Sequence, residues 1–455
     1  MNKIKIPNTV SYMMAVPKNK DEIRTPDAVM YRLNQTKDIH VLQVQVNKRT
    51  GHPVATVEYK GKKYNIDFYA ETFHLQPGYA FSHILSPEDT NAFKDTIHGV
   101  TTAMVYGENA LECYHLQLKF MQCIIPNMAG AIDFNTERIV SGIWVGMTAM
   151  SDILPAPYHL CAVSGVSDTP DSKYAWIHTH GLNRCGFCEL EIINADKERS
   201  TEYADMLSSL ANKIIYEKNL PDEKKAVRPD NANSESQLSA VWLDWRKAVE
   251  KYDENAIGGK NHRSGTSHNM FISSLFAYLS DKDAEEEKVT DLNDVPVEEI
   301  KTLLWNIPAE ENKRAADLAK ERLGFLRDGI MLNKNSRIMV KICLPFERNG
   351  IKSMEYVWVN LHKIDHEAIY GIVETAPLYN NSVKQGDPVN VNISALADWI
   401  LYTENQTVTP DTAYLIVEQL VSYQNARKNG QSVAQADNAA ADSIGNIDEL
   451  ISKMN

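Results

Sequence analysis

Cysteine is scarce in this chain of 455 residues: six are scattered at positions 113, 123, 161, 185, 188 and 343. That number and irregular spacing exclude a disulfide framework and leave Cys185 and Cys188 as the one closely spaced pair. Long apolar runs are missing too. The most apolar stretch, residues 139–166, is interrupted by Asp152, Pro155, Pro157 and His159. It therefore lacks the roughly 18 uninterrupted apolar residues that a spanning helix needs. Near the amino terminus the apolar run at residues 11–16 stops at Pro17, too short for the core of a signal peptide. These features predict a cytoplasmic protein with no membrane partner.

Positive charge is in short supply. Lys plus Arg number 47 against 60 Asp plus Glu, a formal charge of −13 that repels phosphate backbones and makes nucleic acid a poor partner. The sequence contains no G-x-S-x-G, P-loop, G-x-G-x-x-G or H-E-x-x-H string, so the common hydrolase, nucleotide and metalloprotease signatures are absent. The reading leans away from an enzyme and calls for no cofactor.

What is present is enough apolar residue, 43%, to build more than one core, because single cores stop growing near roughly 250 to 300 residues. The predicted fold class is α+β, multi-domain, with antiparallel or mixed sheets and flanking helices. Thr25 followed by Pro26, and Ser86 followed by Pro87, mark two helix starts. The alternating strings DIHVLQVQVN, PVATVEYK and KKYNIDFYA read as strands, and residues 109–125 carry helical spacing. The polar, proline-containing stretch 221–238 is the expected linker between an N-terminal region 1–220, itself expected to divide near 80, and a C-terminal region 239–426. A helix bearing Trp242, Trp245 and Val249 should follow it, then a small domain at 310–403 ending in a helix through SALADWILY, with residues 427–455 as a tail.

The richest string is WIHTHGLNRCGFCELEII, residues 176–193. On a strand, alternate side chains share a face, so Trp176, His178 and His180 project together, as do Glu189 and Glu191 on a second strand. A short loop at 181–187 would join them as an antiparallel pair and set two imidazoles against two carboxylates. Three readings follow. His178, His180, Cys185 and Cys188 could ligate zinc, although all four fall within eleven positions, a crowded spacing for such a site. His178 or His180 could work with Glu189 or Glu191 as a proton-transfer pair in a hydrolase. The favoured reading is structural: the histidines pack beside Trp176 and fix a hairpin through hydrogen bonds, with no metal bound. The glycine pair 258–259 and the basic segment after it read as a surface loop.

Two regions resemble known families. The strings EYVWVNL, IYGIVETAP, QGDPVNV and ADWILY, with Trp358, Gly371, Pro377, Gly386, Asp387, Asp398 and Trp399, resemble the bacterial domain of unknown function 2314. The strings VPKNKDEIRTPDAVMYRL and WIHTHGLNRCGFCELEI resemble domain of unknown function 4026, and the second is also similar to immunity proteins of polymorphic toxins and to suppressor-of-fused-like domains. In that family pattern the position of Cys188 is often not a cysteine, which speaks against zinc. The resemblance implies interaction-type modules and a protein partner, one that an acidic surface would prefer to be basic, extending to toxin neutralisation. Trp176, Arg184, Asp398 and Trp399 are the candidate binding residues.

Overall fold

The computed structural model describes residues 9–19, 25–94, 96–229, 237–263, 272–333, 335–348 and 350–428. Its helices and sheets form an α+β architecture of three sheets. The first comprises β1 (Val10–Pro17), β2 (Ile39–Val46), β3 (Pro53–Tyr59), β4 (Lys62–His74), β5 (Ala80–Phe81), β6 (Thr96–Val105), β7 (Met128–Asp133) and β8 (Arg138–Ser141), in the order β2-β3-β4-β6-β1-β7-β8-β5. Local chemistry sets these elements. Thr25 caps the helix Pro26–Gln35 by accepting from Ala28 N, and Ser86 does the same for Asp89 N. Lys60 and Gly61, with φ of 49° and 74°, make the two-residue turn of the β3–β4 hairpin, the geometry that matches strand twist.

Against one face of this sheet lies the helix Ala110–Ile124, buried on nearly all sides. Its polar residues are consequently paired inside: Gln117 receives hydrogen bonds from Ser11 and Tyr106 and donates to Thr102, stitching the helix to β1 and β6. On the opposite face Phe93, Ile97, Ile132 and Ile139 cluster with Met14 and Val16, which covers β7, β8 and the adjoining ends of β1 and β6.

The second sheet contains β9 (Ala162–Val166), β10 (Tyr174–His180), β11 (Glu189–Asp196), β12 (Ser239–Asp244) and β13 (Ile272–Tyr278), ordered β12-β13-β11-β10-β9. The helix Ser200–Glu217 packs Tyr203, Met206, Leu207 and Leu210 onto its underside. This topology corrects three expectations. Residues 221–238 do not separate domains, because strands on both sides of them share this sheet, and Val227 even bridges to Ala240. The N-terminal region divides between β8 and β9, after residue 141, and not near 80, since β5 belongs to the first sheet. Trp242 lies in β12, where its side chain is buried in the core, and only the short turn Trp245–Ala248 and the 3-10 turn Val249–Lys251 after it are helical.

The third sheet holds β14 (Arg337–Arg348), β15 (Ile351–Ile364), β16 (Ala368–Val373), β17 (Pro388–Asn392), β18 (Leu396–Tyr402) and β19 (Thr407–Val408), ordered β17-β16-β15-β14-β18-β19. The helices Ala309–Glu321 and Leu323–Leu332 cover one face. Here the predicted SALADWILY helix is strand β18: its burial alternates, Trp399 and Leu401 inward, and Ser394 sits in a short 3-10 turn instead of capping a helix. Gly386 does take positive φ, 89°, at the turn before β17. The helix Tyr414–Lys428 returns to the first sheet, where Tyr414 stacks on His83 at 4.9 Å and accepts from Ile84 N. The expected tail lies almost wholly outside the described residues.

Candidate functional site

The hairpin β10–β11 forms as an antiparallel pair with His178 opposite Glu191. The turn between its strands depends on Gly181: at φ 112° a Cβ there would sit 2.0 Å from the Leu160 carbonyl oxygen. Trp176, His178 and His180 form a buried row, with centroids 4.4 Å apart between the first two and 4.6 Å between the second two.

The carboxylates are deeply committed. Glu191 accepts from Trp176 Nε1 at 2.7 Å, from Arg263 Nη2 at 2.7 and 2.6 Å, and from the Ser274 hydroxyl. The Arg263 guanidinium lies between the rings of Trp176 and Trp245, 4.8 Å from each, and its Nε donates to the Gly258 carbonyl at 2.8 Å. A Cβ at Gly258 would strike Trp176 at 2.6 Å, so this loop can close over the indole only as glycine. Burial pushes the Glu191 carboxyl up, while Arg263, Ser274 and Trp176 pull it down. Glu189 turns instead to the hairpin loop, accepting from Thr179 Oγ1 at 2.7 Å, Gly181 N at 2.8 Å and Asn183 N at 3.1 Å. Burial raises its pKa as well, against those same bonds. The register brings one imidazole opposite one carboxylate, and each carboxylate has its acceptor positions filled by structural donors.

The thiols point elsewhere. Cys185 donates to the Gly181 carbonyl and Cys188 to Ser273 Oγ at 3.3 Å, and burial pushes the two up to about 12 and about 11. Among the described residues no group of three or more His, Cys, Asp or Glu is disposed to hold a metal ion.

Arg184, expected as a binding residue, is fully buried and serves the fold. Its guanidinium pairs with both Asp133 oxygens at 3.0 and 2.8 Å, donates to the Leu160 carbonyl at 2.9 Å, and faces Tyr114 at 5.1 Å. Burial opposes its charge, and Asp133 with the two neighbouring tyrosines more than restores it. This one side chain joins the second sheet's hairpin loop to β7 of the first. Trp399 is likewise inside, its Nε1 donating to the Ala319 carbonyl at 3.1 Å. Asp398 faces the other way, on the uncovered side of the third sheet and opposite Lys341, whose ammonium lies over the rings of Tyr356 and Trp358. Burial pushes its carboxyl up to about 6, against the bond from Trp399 N and the charge of Lys341.

Two features escape a reading by motif. Arg263 belongs to the segment read as a surface loop, and nothing local marks it as buried. The second is the part of that opposite face, over β3, β4, β6 and the start of β1, that lies beyond the Met14–Val16 cluster. There Asp67 lies in one cross-strand row with Ala103 and Tyr12, Asn65 and Tyr69 flank it along β4, and Glu71 accepts from Thr101. Tyr12 is 41% exposed and Val105 56%, and with Val10, Lys63, Asn65, Asp67 and Ala103 they line a cleft of about 480 Å³. Tyr69 stacks on His52 at 3.9 Å. The alternation in KKYNIDFYA is the signal that could have shown it, since the outward set Lys63, Asn65, Asp67 and Tyr69, continued by Glu71, is polar and aromatic.

Residues 11–155 match the family described as protein of unknown function DUF4026, N-terminal, and residues 162–276 its C-terminal counterpart. Residues 325–432 match DUF2314, described as an uncharacterized protein conserved in bacteria. No curated protein and no solved structure matches the chain. The three matched segments follow the three sheets, and the chain thus carries, in order, a DUF4026 N-terminal domain, a DUF4026 C-terminal domain and a DUF2314 domain.

Proposed function

We propose that this protein acts by binding another protein, and that the uncovered face of the first sheet receives a basic segment of that partner. The observation that carries the reading is the composition of this face: Tyr12, Tyr69 and Val105 offer flat apolar area, while Asp67 and Glu71 supply negative charge beside a cleft. The formal charge of −13 favours a cationic partner for the chain as a whole. A basic toxin held inactive by such a complex is one partner of this chemistry. A hydrolase built on His178, His180, Glu189 and Glu191 would need a carboxylate able to accept a substrate proton, and the donors around Glu189 and Glu191 leave little room for one.

Calorimetric titration with Arg- and Lys-rich peptides tests the reading. Saturable binding should weaken at least tenfold in Asp67→Lys/Glu71→Lys and in Tyr12→Ser, and fall with added salt in the wild type. Binding that ignores all three substitutions would place the partner site elsewhere; no binding at any ionic strength would remove the reading.

A further inference from the structure

Sheet edges expose unpaired N–H and C=O groups, and folded proteins blunt them with short strands, proline, inward charges or covering segments. Five of the six edges in this molecule are treated that way. β5 and β19 are two residues long, β17 opens with Pro388, β9 has five residues including Gly165, and β12 is covered by Val227, which exchanges backbone bonds with Ala240. Among the described residues β2 is the long edge with the least protection: only its start is engaged, where Ile39 N donates to the Thr36 carbonyl and Val41 N to Asn34 Oδ1, a side-chain bond that a pairing strand has to displace. It ends the strand order of the first sheet, runs eight residues, and its sequence IHVLQVQV contains no Asp, Glu, Lys, Arg or Pro. Beyond Ile39 and Val41, which pack on the core, its apolar side chains are left in solvent: Leu42 is 47% exposed, Val44 36% and Val46 64%.

The strand is also complementary to itself. A two-fold axis through Val44, with the extra residue at Leu42 accommodated as it is against β3, sets Gln43 opposite Gln45 and Val46 opposite Val41 of the second copy. Each pair then falls on one face: Val41 and Val44 share the face of Val57 and Ala55, whereas Gln43 and Gln45 share that of Thr56 and Val54. The strand is flanked by Asp38 at its start and by Lys48 and Arg49 beyond its end, all exposed. Antiparallel pairing brings the acidic end of one copy to the basic end of the other, twice.

From the edge left open beyond Val41 and this charge complementarity we infer that β2 is a dimerisation edge, on which a second copy of the chain adds its own β2 to make one sheet of sixteen strands. A seam of two strands buries less than a standard interface of roughly 1,600 Å², so the dimer is reversible. Its uncovered sheet faces lie side by side, which doubles the surface open to a partner.

Sedimentation equilibrium of the full chain over a wide concentration range is the experiment. The expected result is a monomer–dimer equilibrium starting from 51.3 kDa. Val44→Lys, which sets two like charges on the axis, and Val46→Lys should each weaken it at least tenfold with an unchanged circular dichroism spectrum. Asp38→Lys and Lys48→Glu/Arg49→Glu should each be monomeric alone and should dimerise when mixed, because only the mixed pair has opposite charges at both ends. A wild type that stays monomeric throughout, including one that instead captures a foreign extended peptide at β2, overturns the inference. So does a dimer indifferent to Val44→Lys and to the charge variants, which would have its seam on another face.

Discussion

The second and third sheets each place an acid near a tryptophan and a cation, and the two sites behave differently. Around Glu191 the cation is Arg263, bonded directly to the carboxylate and clamped between two indoles. A loop brought close by Gly258 closes over the group. Around Asp398 the cation is Lys341, one strand across, and both residues keep part of their surface exposed. The residue types are nearly the same. What differs is the lid, and it decides whether such a constellation becomes part of the core or stays within reach of solvent.

Breaking the buried kind of site should cost the most. The extreme case is Arg184 with Asp133, where Arg184→Ala strands a carboxylate that is only 1% exposed; we expect a loss of about 3–5 kcal/mol in urea denaturation. Asp133→Asn combined with Arg184→Met should cost less than the sum of the single changes, the sign of a coupled pair. Glu191→Gln keeps the donors Trp176 and Ser274 in place while removing the negative charge that Arg263 Nη2 is bonded to, and should cost about 2–3 kcal/mol. If it costs nothing, the indole clamp alone supports the guanidinium and the contrast with Asp398 collapses.

The smallest effect belongs to the open site and shows as pH dependence. Asp398 is raised from 3.8 to about 6, so between these values the folded chain binds a proton more tightly than the unfolded one. The stabilisation is therefore complete below pH 4 and fades as pH rises to about 6, on the order of 2 kcal/mol. Asp398→Asn should flatten that part of the stability curve and stabilise the protein at pH 7, since its side-chain oxygen can still accept from Trp399 N. Glu418, raised to about 7 by burial first and by Asp89, contributes a slope of the same sign that this substitution leaves intact. A curve unchanged in Asp398→Asn would mean that the carboxylate is as well solvated as a surface acid.

The sequence was most legible where chemistry is local. Strand alternation, the Thr25 and Ser86 caps and the β10–β11 hairpin depend on neighbours a few residues apart, and these expectations hold in the structure. Residues 221–238 misled because a polar, proline-bearing stretch looks the same whether it joins two domains or leads back into one sheet. The choice is made by the pairing of β13 with β11, a contact between distant residues. ADWILY was misread for a related reason: a segment buried on alternate positions with two extra apolar residues fits a helical stripe about as well as a strand. At the candidate site the hairpin was visible, but Arg263 lies 72 residues from Glu191 and Asp133 lies 51 from Arg184. No local pattern predicts which distant cation will meet a buried acid.

The Arg184–Asp133 pair also imposes an order on synthesis. Asp133 leaves the ribosome 51 residues before its only ion-pairing partner among the described residues, an interval of roughly 3 to 10 s at ordinary elongation rates. During that time the first sheet can assemble its strands but cannot bury Asp133 as an ion. The Asp133 carboxylate, at the end of β7, has to keep its water until the following domain delivers an arginine. A fragment ending at residue 155 would remain at that stage, which makes the boundary drawn by family matching a poor place to cut this protein for expression.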